Sequence, residues 1–130
     1  VTNALRMFDL DWTPDGRFFA VAVLGAAPAD SGVRVFSFNP NNTPPINTTP
    51  VVTVLSSVAG QQSVNWSPNG RYLATLGDSG IDTVTINETP TTYTTRIFEF
   101  NGTTLTKVAF ADPASMTNNG GGIVRVRWSP

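Results

Sequence analysis

The chain has 130 residues, with 8 Lys and Arg, 9 Asp and Glu, and neither His nor Cys. Without His or Cys, the sequence excludes a Ser-His-Asp triad, a cysteine nucleophile, a disulfide and an ordinary zinc or iron–sulfur site. A net charge of -1 argues against nucleic acid as the main partner, because phosphate binding needs an excess of Lys and Arg. No apolar run approaches the roughly 20 residues of a membrane-spanning helix, so no membrane insertion is expected.

The remaining composition favours a turn-rich protein outside the cytoplasm. Only 13% of the residues are charged, about half of the usual share of roughly 25%, and Thr, Ser and Asn supply the polarity instead. Such a Lys-poor surface indicates an extracellular, cell-surface or particle-surface location, with a cytoplasmic one left open. The sequence starts at Val1, so we expect either that a leader has been removed or that this is a piece of a longer protein.

The first predicted elements in chain order are two strands joined by a tight turn. Apolar residues alternate with polar ones from Phe8 to Trp12, which is the periodicity of a strand with one buried side. In the turn that follows, Pro presets φ and Asp-Gly tolerates a positive φ. That turn is formed by Pro14, Asp15 and Gly16. Residues 17–24 are small and apolar, which predicts a strand buried on both faces.

Two more strands complete a first unit, and the same order of elements then recurs. The third strand is predicted at residues 33–39 and the fourth at residues 51–55. The segment "LDWTPDGRFFAVAVLG" at residues 10–25 returns as "VNWSPNGRYLATLG" at residues 64–77, and "VRVFSFN" returns as "TRIFEFN" at residues 95–101. Two matches in the same order indicate an internal repeat.

The second unit repeats the turn and the strands, and a third copy begins at residues 126–130 with "VRWSP". The second turn is formed by Pro68, Asn69 and Gly70. Its later strands are predicted at residues 71–76, 95–101 and 105–110. The three copies are marked by Trp12, Trp66 and Trp128. No stretch combines helical periodicity with caps, so we expect essentially no α-helix.

The repeat divides the chain into three parts. These are a first unit at residues 1–57, a second unit at residues 58–117, and the first strand of a further unit at residues 118–130. Inserts at residues 40–50 and 78–93 make the period long and unequal, and residues 83–89 could form an extra hairpin. Because loops on a rigid β scaffold often carry recognition, we expect residues 40–50 and 81–92 to make contacts with partners.

The repeat resembles the blade of a WD40-like β-propeller, in the form with Ser-Pro-Asp-Gly that occurs in bacterial TolB-like propellers. The resemblance covers nearly the whole chain, and it implies tandem four-stranded antiparallel blades with the Trp packed between them. The chain departs from the family pattern at Phe38 and Phe100, which stand near the place of the Trp-Asp dipeptide. Without His it also lacks the buried hydrogen-bond network of many WD40 blades, so packing must depend on aromatic and aliphatic contacts.

The predicted strands indicate an all-β fold of tandem propeller blades. The length indicates that these blades are incomplete as a single chain. Propellers usually close with roughly 4 to 8 blades of about 40 residues or more. This chain supplies two units and one more strand, predicted at residues 122–128 and left without a partner. An uncovered edge strand exposes backbone donors and acceptors. We therefore expect either a piece of a larger propeller or several copies that assemble to cover the open edges.

Charges beside the Trp differ among the three copies and suit head-to-tail contact between chains. One residue before each Trp stand Asp11, Asn65 and Arg127. Three residues before it stand Asp9, Ser63 and Arg125. We expect the two arginines to approach carboxylates of an adjacent blade or subunit. The alternative is local pairing or solvation near a propeller channel.

Other polar residues have structural explanations. The turn signature is expected to close a hairpin rather than bind a ligand. Asp30 and Asp78 each precede Ser-Gly, but a calcium loop needs more carboxylates, so a turn is favoured. Arginines at repeated positions are expected to lie over apolar surface with a salt bridge outside; they are Arg17, Arg71, Arg34 and Arg96. The Asn-x-Ser/Thr triplets are attributed to composition, and they begin at Asn41, Asn47, Asn65, Asn87 and Asn101.

The sequence thus favours a non-enzymatic propeller segment that serves as a structural or protein-interaction scaffold. The expected partners are other proteins or copies of itself; no catalytic residue, metal or cofactor is predicted, and a small-molecule ligand is not expected. One alternative is a fragment of a lactonase-like or hydrolase-like propeller enzyme, to whose site Asp9 and Asp11 would contribute. Another is a carbohydrate- or peptide-binding module, for which the loops offer mainly Tyr93.

Overall fold

A computed structural model of the chain describes residues 6–25, 30–55, 61–77, 94–111 and 125–130. They form two antiparallel four-stranded sheets, each with its strands side by side in chain order. The first sheet consists of β1 (Arg6–Trp12), β2 (Phe18–Leu24), β3 (Gly32–Ser37) and β4 (Val52–Leu55). The second consists of β5 (Gln61–Trp66), β6 (Tyr72–Gly77), β7 (Thr94–Phe100) and β8 (Leu105–Ala111).

The prediction of an all-β chain with two four-stranded antiparallel units is confirmed. The described residues contain no α-helix. That part of the chain therefore has no helix long and apolar enough to span a membrane. The observed limits of β1 to β4 and of β6 to β8 lie within two residues of the predicted ones, since alternation and turn residues locate strands well but not their ends.

The first sheet has two faces of different chemistry. Cross-strand neighbours in an antiparallel pair point to the same face. Trp12 is opposite Phe19, which in turn is opposite Phe36. We call this side the tryptophan face of the sheet. The other side carries smaller residues and is called the small-residue face; in the first sheet it is formed by Ala20, Ala22, Val33 and Val35.

The two sheets pack face to face in a head-to-tail manner. The tryptophan face of the second sheet, with Trp66, Leu73 and Phe98, shares one buried core with the small-residue face of the first sheet. Burying each large apolar side chain stabilises the fold by roughly 1.5–3 kcal/mol. Since β2 also contributes Phe19 and Val21 to a smaller cluster on its other side, it is buried along both faces, as predicted.

Both first strands carry an irregularity at the same place. The register of β1 shifts between Met7 and Asp9, and that of β5 shifts between Gln61 and Ser63. A bulge of this kind bends and twists a strand. The equivalent position in the two sheets shows that the bulge belongs to the repeat.

The end of the chain differs from the prediction. The sequence predicts a strand without a partner at residues 122–128, but residues 125–130 form no strand and are held against β5. The backbone N–H groups of Val126 and Trp128 bond to side chains of β5, whereas a strand requires a backbone ladder. Residues 122–124, the insert at 78–93 and its predicted hairpin lie outside the described residues.

Candidate functional site

The signature turn of the first unit is closed by a set of short hydrogen bonds. The Gly16 N–H donates to the Thr13 carbonyl at 2.8 Å, and the Gly16 φ of 69° is one that glycine adopts at little cost. Asp15 accepts the Thr13 hydroxyl at 2.6 Å, and Arg17 Nε lies 2.9 Å from its other oxygen. The Thr13 hydroxyl and the Arg17 N–H both donate to this carboxylate and hold the pKa of Asp15 below its ordinary value.

The second turn repeats this geometry with an amide in place of the carboxylate. The Gly70 N–H donates to the Ser67 carbonyl at 2.8 Å, and the Ser67 hydroxyl donates to Asn69 Oδ1 at 2.7 Å. Arg71 pairs with Glu99 across the sheet at 2.6 Å, and the hydrogen bond that Arg71 Nε donates to Glu99 Oε1 raises the pKa of Arg71. The polar side chains of both turns are therefore used to close the hairpins.

The four repeated arginines fall into two groups. Arg17 and Arg71 each lie over the aromatic ring of the following residue, with 5.5 and 5.3 Å between the guanidinium carbon and the ring centre. Their salt bridges are exposed to solvent. Arg34 donates to the Asp30 carbonyl at 3.2 Å. Arg96 is buried.

Asp9 and Asp11 connect the two sheets at their first strands. Asp9 Oδ2 accepts from the Ser63 hydroxyl at 2.8 Å and from the Val64 N–H at 3.2 Å. Asp11 Oδ2 accepts from the Asn65 amide at 2.8 Å and from the backbone N–H of the following tryptophan at 2.7 Å. In each case one carboxylate oxygen of β1 satisfies a side chain and a backbone donor of β5.

The same pattern continues from β5 to the third copy. The Ser63 hydroxyl accepts from the Val126 N–H at 3.2 Å, and Asn65 Oδ1 accepts from the Trp128 N–H at 2.7 Å. The indole N–H of Trp128 also donates to the Asn65 carbonyl at 2.9 Å, and its ring lies 6.3 Å from that of Tyr72. We call the side-chain-to-backbone bonds that join the three copies the inner ladder. Its accepting residues are Asp9, Asp11, Ser63 and Asn65.

The residue types give the inner ladder a direction. An ionised Asp only accepts hydrogen bonds, Ser and Asn both accept and donate, and Arg only donates. Asp stands before the tryptophan in the first copy, Ser and Asn in the second, and Arg in the third. Arg127 also reaches back across β5, with Nη1 3.6 Å from Asp9 Oδ2, while Arg125 is exposed. The ladder therefore begins at the carboxylates of β1 and ends at the arginines.

The tryptophan face of the first sheet is open where its counterpart is covered. The side chain of Trp12 is 41% exposed, whereas Trp66 is 4% exposed. Within the described part of the chain, the ring of Trp12 packs against its own sheet, with its centre 4.9 Å from that of Phe19 and 5.2 Å from that of Phe38. Leu10 and Met7 add to the exposed apolar area, and Met7 is 75% exposed. An apolar face of this kind commonly marks an interaction surface.

The loop at residues 40–49 is exposed along its whole length. Asn47 Oδ1 accepts from the Thr49 N–H at 3.1 Å, a local bond that shapes the loop. Asn41 and Asn47, which begin two of the triplets, are exposed, while Asn65 is committed to the inner ladder. Residues 81–92, with Asn87, and Tyr93 lie outside the described residues.

The acidic residues of the described segments do not gather into a metal site. No group of three or more Asp or Glu able to hold an ion occurs there. Ser31, which follows Asp30, instead accepts a hydrogen bond from the Gly25 N–H at 3.0 Å, which is the role of a turn residue. Asp78 lies outside the described residues.

The roles of Ser63 and Asn65 were not predicted from the sequence. Their partners on β1 lie 54 residues earlier in the chain, and a local pattern carries no information about such a distant pair. The sequence nevertheless contains a signal for these contacts. The side chains before the three tryptophans change from Asp, which only accepts hydrogen bonds, through Ser and Asn to Arg, which only donates them.

A comparison of the sequence with protein-family models and with curated proteins finds no match.

Proposed function

We propose that the chain is a propeller-type repeat segment that acts as a non-enzymatic structural or protein-interaction scaffold, with the two sheets as successive blades. The observation that carries this proposal is the head-to-tail packing of the sheets, in which the Trp66 face of one covers the small-residue face of the other. In a propeller, each blade packs on the next in the same sense. The repeated turns and the inner ladder support the same interpretation.

Head-to-tail packing is open to extension. A contact between two different faces leaves one free face at each end, so further units can add until a ring closes. The tryptophan face of the first sheet, where Trp12 is exposed, is such a free face. This supports protein partners or further copies of the chain as ligands of the scaffold.

The exposed loop at residues 40–49 supports a second contact region. It is rich in Asn, Thr and Pro and follows β3, whose residues are buried or half-buried. Substitutions in such a loop leave the core intact, so contacts can vary without loss of the fold. The same composition supports an extracellular or surface location.

The surroundings of Asp9 and Asp11 oppose the enzyme alternative. One oxygen of each carboxylate already accepts two hydrogen bonds from β5. A general acid or base must instead lie within hydrogen-bonding distance of a substrate proton. The carboxylates therefore fit a role in joining sheets better than a role in proton transfer.

Activity and ligand assays on the full chain test this proposal. The chain and its double variant Asp9→Asn/Asp11→Asn, which keeps the accepting oxygens, are incubated with lactone, ester and peptide substrates and applied to glycan and peptide arrays. We expect no turnover and no saturable glycan binding by either protein. Turnover by the natural chain that the double variant loses would contradict the proposal, and so would saturable binding of a glycan.

A further inference from the structure

Residues 125–130 lie against β5 in the way that β5 itself lies against β1. In the second case, the strand that makes the contact is the first strand of a four-stranded sheet. Between the two sheets, the acceptors of β1 are used by β5, and the rest of the second sheet follows it. At β5 the acceptors Ser63 and Asn65 are used by a segment of six described residues that forms no strand. The acceptors on β5 are therefore occupied without a backbone ladder to a further strand among the described residues.

The first strand of the chain has the groups that this site binds. Leu10 and Trp12 stand at the same repeat positions as Val126 and Trp128. The Leu10 N–H bonds to the adjacent carboxylate of Asp9 at 3.1 Å in an exposed position, so no other copy of the repeat uses it. Trp12 is 41% exposed to solvent.

We propose that a second copy of the chain docks its β1 on β5 of the first copy and displaces residues 125–130. In this contact the Ser63 hydroxyl accepts the Leu10 N–H, and Asn65 Oδ1 accepts the Trp12 N–H. The tryptophan face of the second copy then packs against the sheet that contains β5. The inference rests on the proposed scaffold function and specifies the partner as another copy of the same chain.

The arginines exclude the simpler arrangement in which a second copy adds beyond residues 125–130. In that position Arg125 and Arg127 would face the backbone N–H groups of the incoming β1. Arg has no acceptor for an N–H donor, so the inner ladder cannot continue through it. Residues 125–130 thus act as an internal competitor, and they must leave β5 before another copy can bind there.

The dissociation constant of self-association tests the proposal, measured by sedimentation equilibrium on the full chain and three variants. Trp128→Ala removes the indole hydrogen bond and the contact with Tyr72, and we expect association about tenfold tighter because the competitor is weakened. Leu10→Lys places a charge on the docking surface, and we expect association at least about tenfold weaker. Val108→Lys is the matched control, since Val108 is 50% exposed on β8; we expect a change within about twofold.

The double variant Trp128→Ala/Leu10→Lys separates specific docking from adhesion of a newly exposed surface. We expect the double variant to associate more weakly than Trp128→Ala, because Leu10→Lys removes the tighter association that Trp128→Ala produces. The proposal is overturned if Trp128→Ala associates no more tightly than the natural chain, or if the double variant associates as tightly as Trp128→Ala. Urea midpoints of all variants establish that they are folded. The turnover and array assays do not depend on association, so the scaffold function and this contact can fail separately.

Discussion

At the scale of single residues, the donor and acceptor types of side chains decide how the first strands are joined. Asp9 and Asp11 each offer one oxygen to two donors of the neighbouring strand, and Ser63 and Asn65 pass the pattern on because they both donate and accept. An apolar residue at these positions would leave backbone N–H groups of the next strand without a partner. Leaving a buried donor unsatisfied costs more than the hydrogen bond itself contributes.

Substitution of Asp11 tests this account directly. Asp11→Ala removes the acceptor for Asn65 and for the Trp66 N–H, and we expect a loss of about 1–3 kcal/mol in the free energy of unfolding. Asp11→Asn keeps an oxygen in the same place, so its loss should be clearly smaller. Urea unfolding at neutral pH measures both. Equal losses for the two variants would show that charge, and not the accepting oxygen, is what β5 requires.

The turn carboxylate of Asp15 gives the chain a dependence on acid pH. Its pKa is lowered in the folded state, so its contribution to stability is complete above the unfolded pKa of about 3.9 and is lost as the pH falls through the folded value. Asp15→Asn keeps the acceptor, as Asn69 does in the second turn, but does not titrate. Because the Asp15 side chain is 52% exposed, we expect a loss below about 1 kcal/mol at pH 7.

Unfolding curves of Asp15→Asn and the natural chain from pH 7 to pH 2 check this expectation. The difference in stability between the two proteins should shrink as the pH falls through the folded pKa of Asp15, because the protonated carboxyl no longer carries a charge. A difference that stays constant over this range would contradict the assignment of the effect to the charge of Asp15.

At the scale of elements, local chemistry determines the hairpins and distant contacts determine how they are combined. Pro-Asp-Gly and Pro-Asn-Gly with flanking alternation were sufficient to predict the strands on either side of Gly16 and Gly70, because a turn of this type depends on neighbouring residues. The bulges before Asp9 and Ser63 were not predictable, since one inserted residue hardly changes an alternating pattern. The inner ladder was missed because its partners are far apart in the chain.

The two turn glycines provide a matched pair of substitutions. Gly16 and Gly70 have φ values of 69° and 68°, so alanine at either position is strained by about 1–2 kcal/mol. A Cβ at Gly16 meets nothing within 4 Å, whereas a Cβ at Gly70 lies 3.3 Å from Cδ of Pro14 in the neighbouring turn. We therefore expect Gly70→Ala to be the more destabilising of the two in thermal unfolding. The packing of one turn against the other would be refuted if Gly16→Ala cost as much or more.

At the scale of the whole molecule, two sheets of the same kind meet through unlike faces. The core forms where the Trp66 face covers Ala20 and Ala22, and the equivalent face around Trp12 has no such cover among the described residues. Trp12 and Trp66 occupy the same place in the repeat and differ only in what lies against them. This contrast is the basis for the proposal that another copy covers the tryptophan face of the first sheet.

The mass of the natural chain in solution, measured by sedimentation equilibrium over a wide range of concentration, tests that claim most directly. The account predicts an average mass that rises above the 13.9 kDa of one chain as the concentration increases. A mass of 13.9 kDa at every concentration would show that the open tryptophan face does not bind another copy, and it would contradict the account.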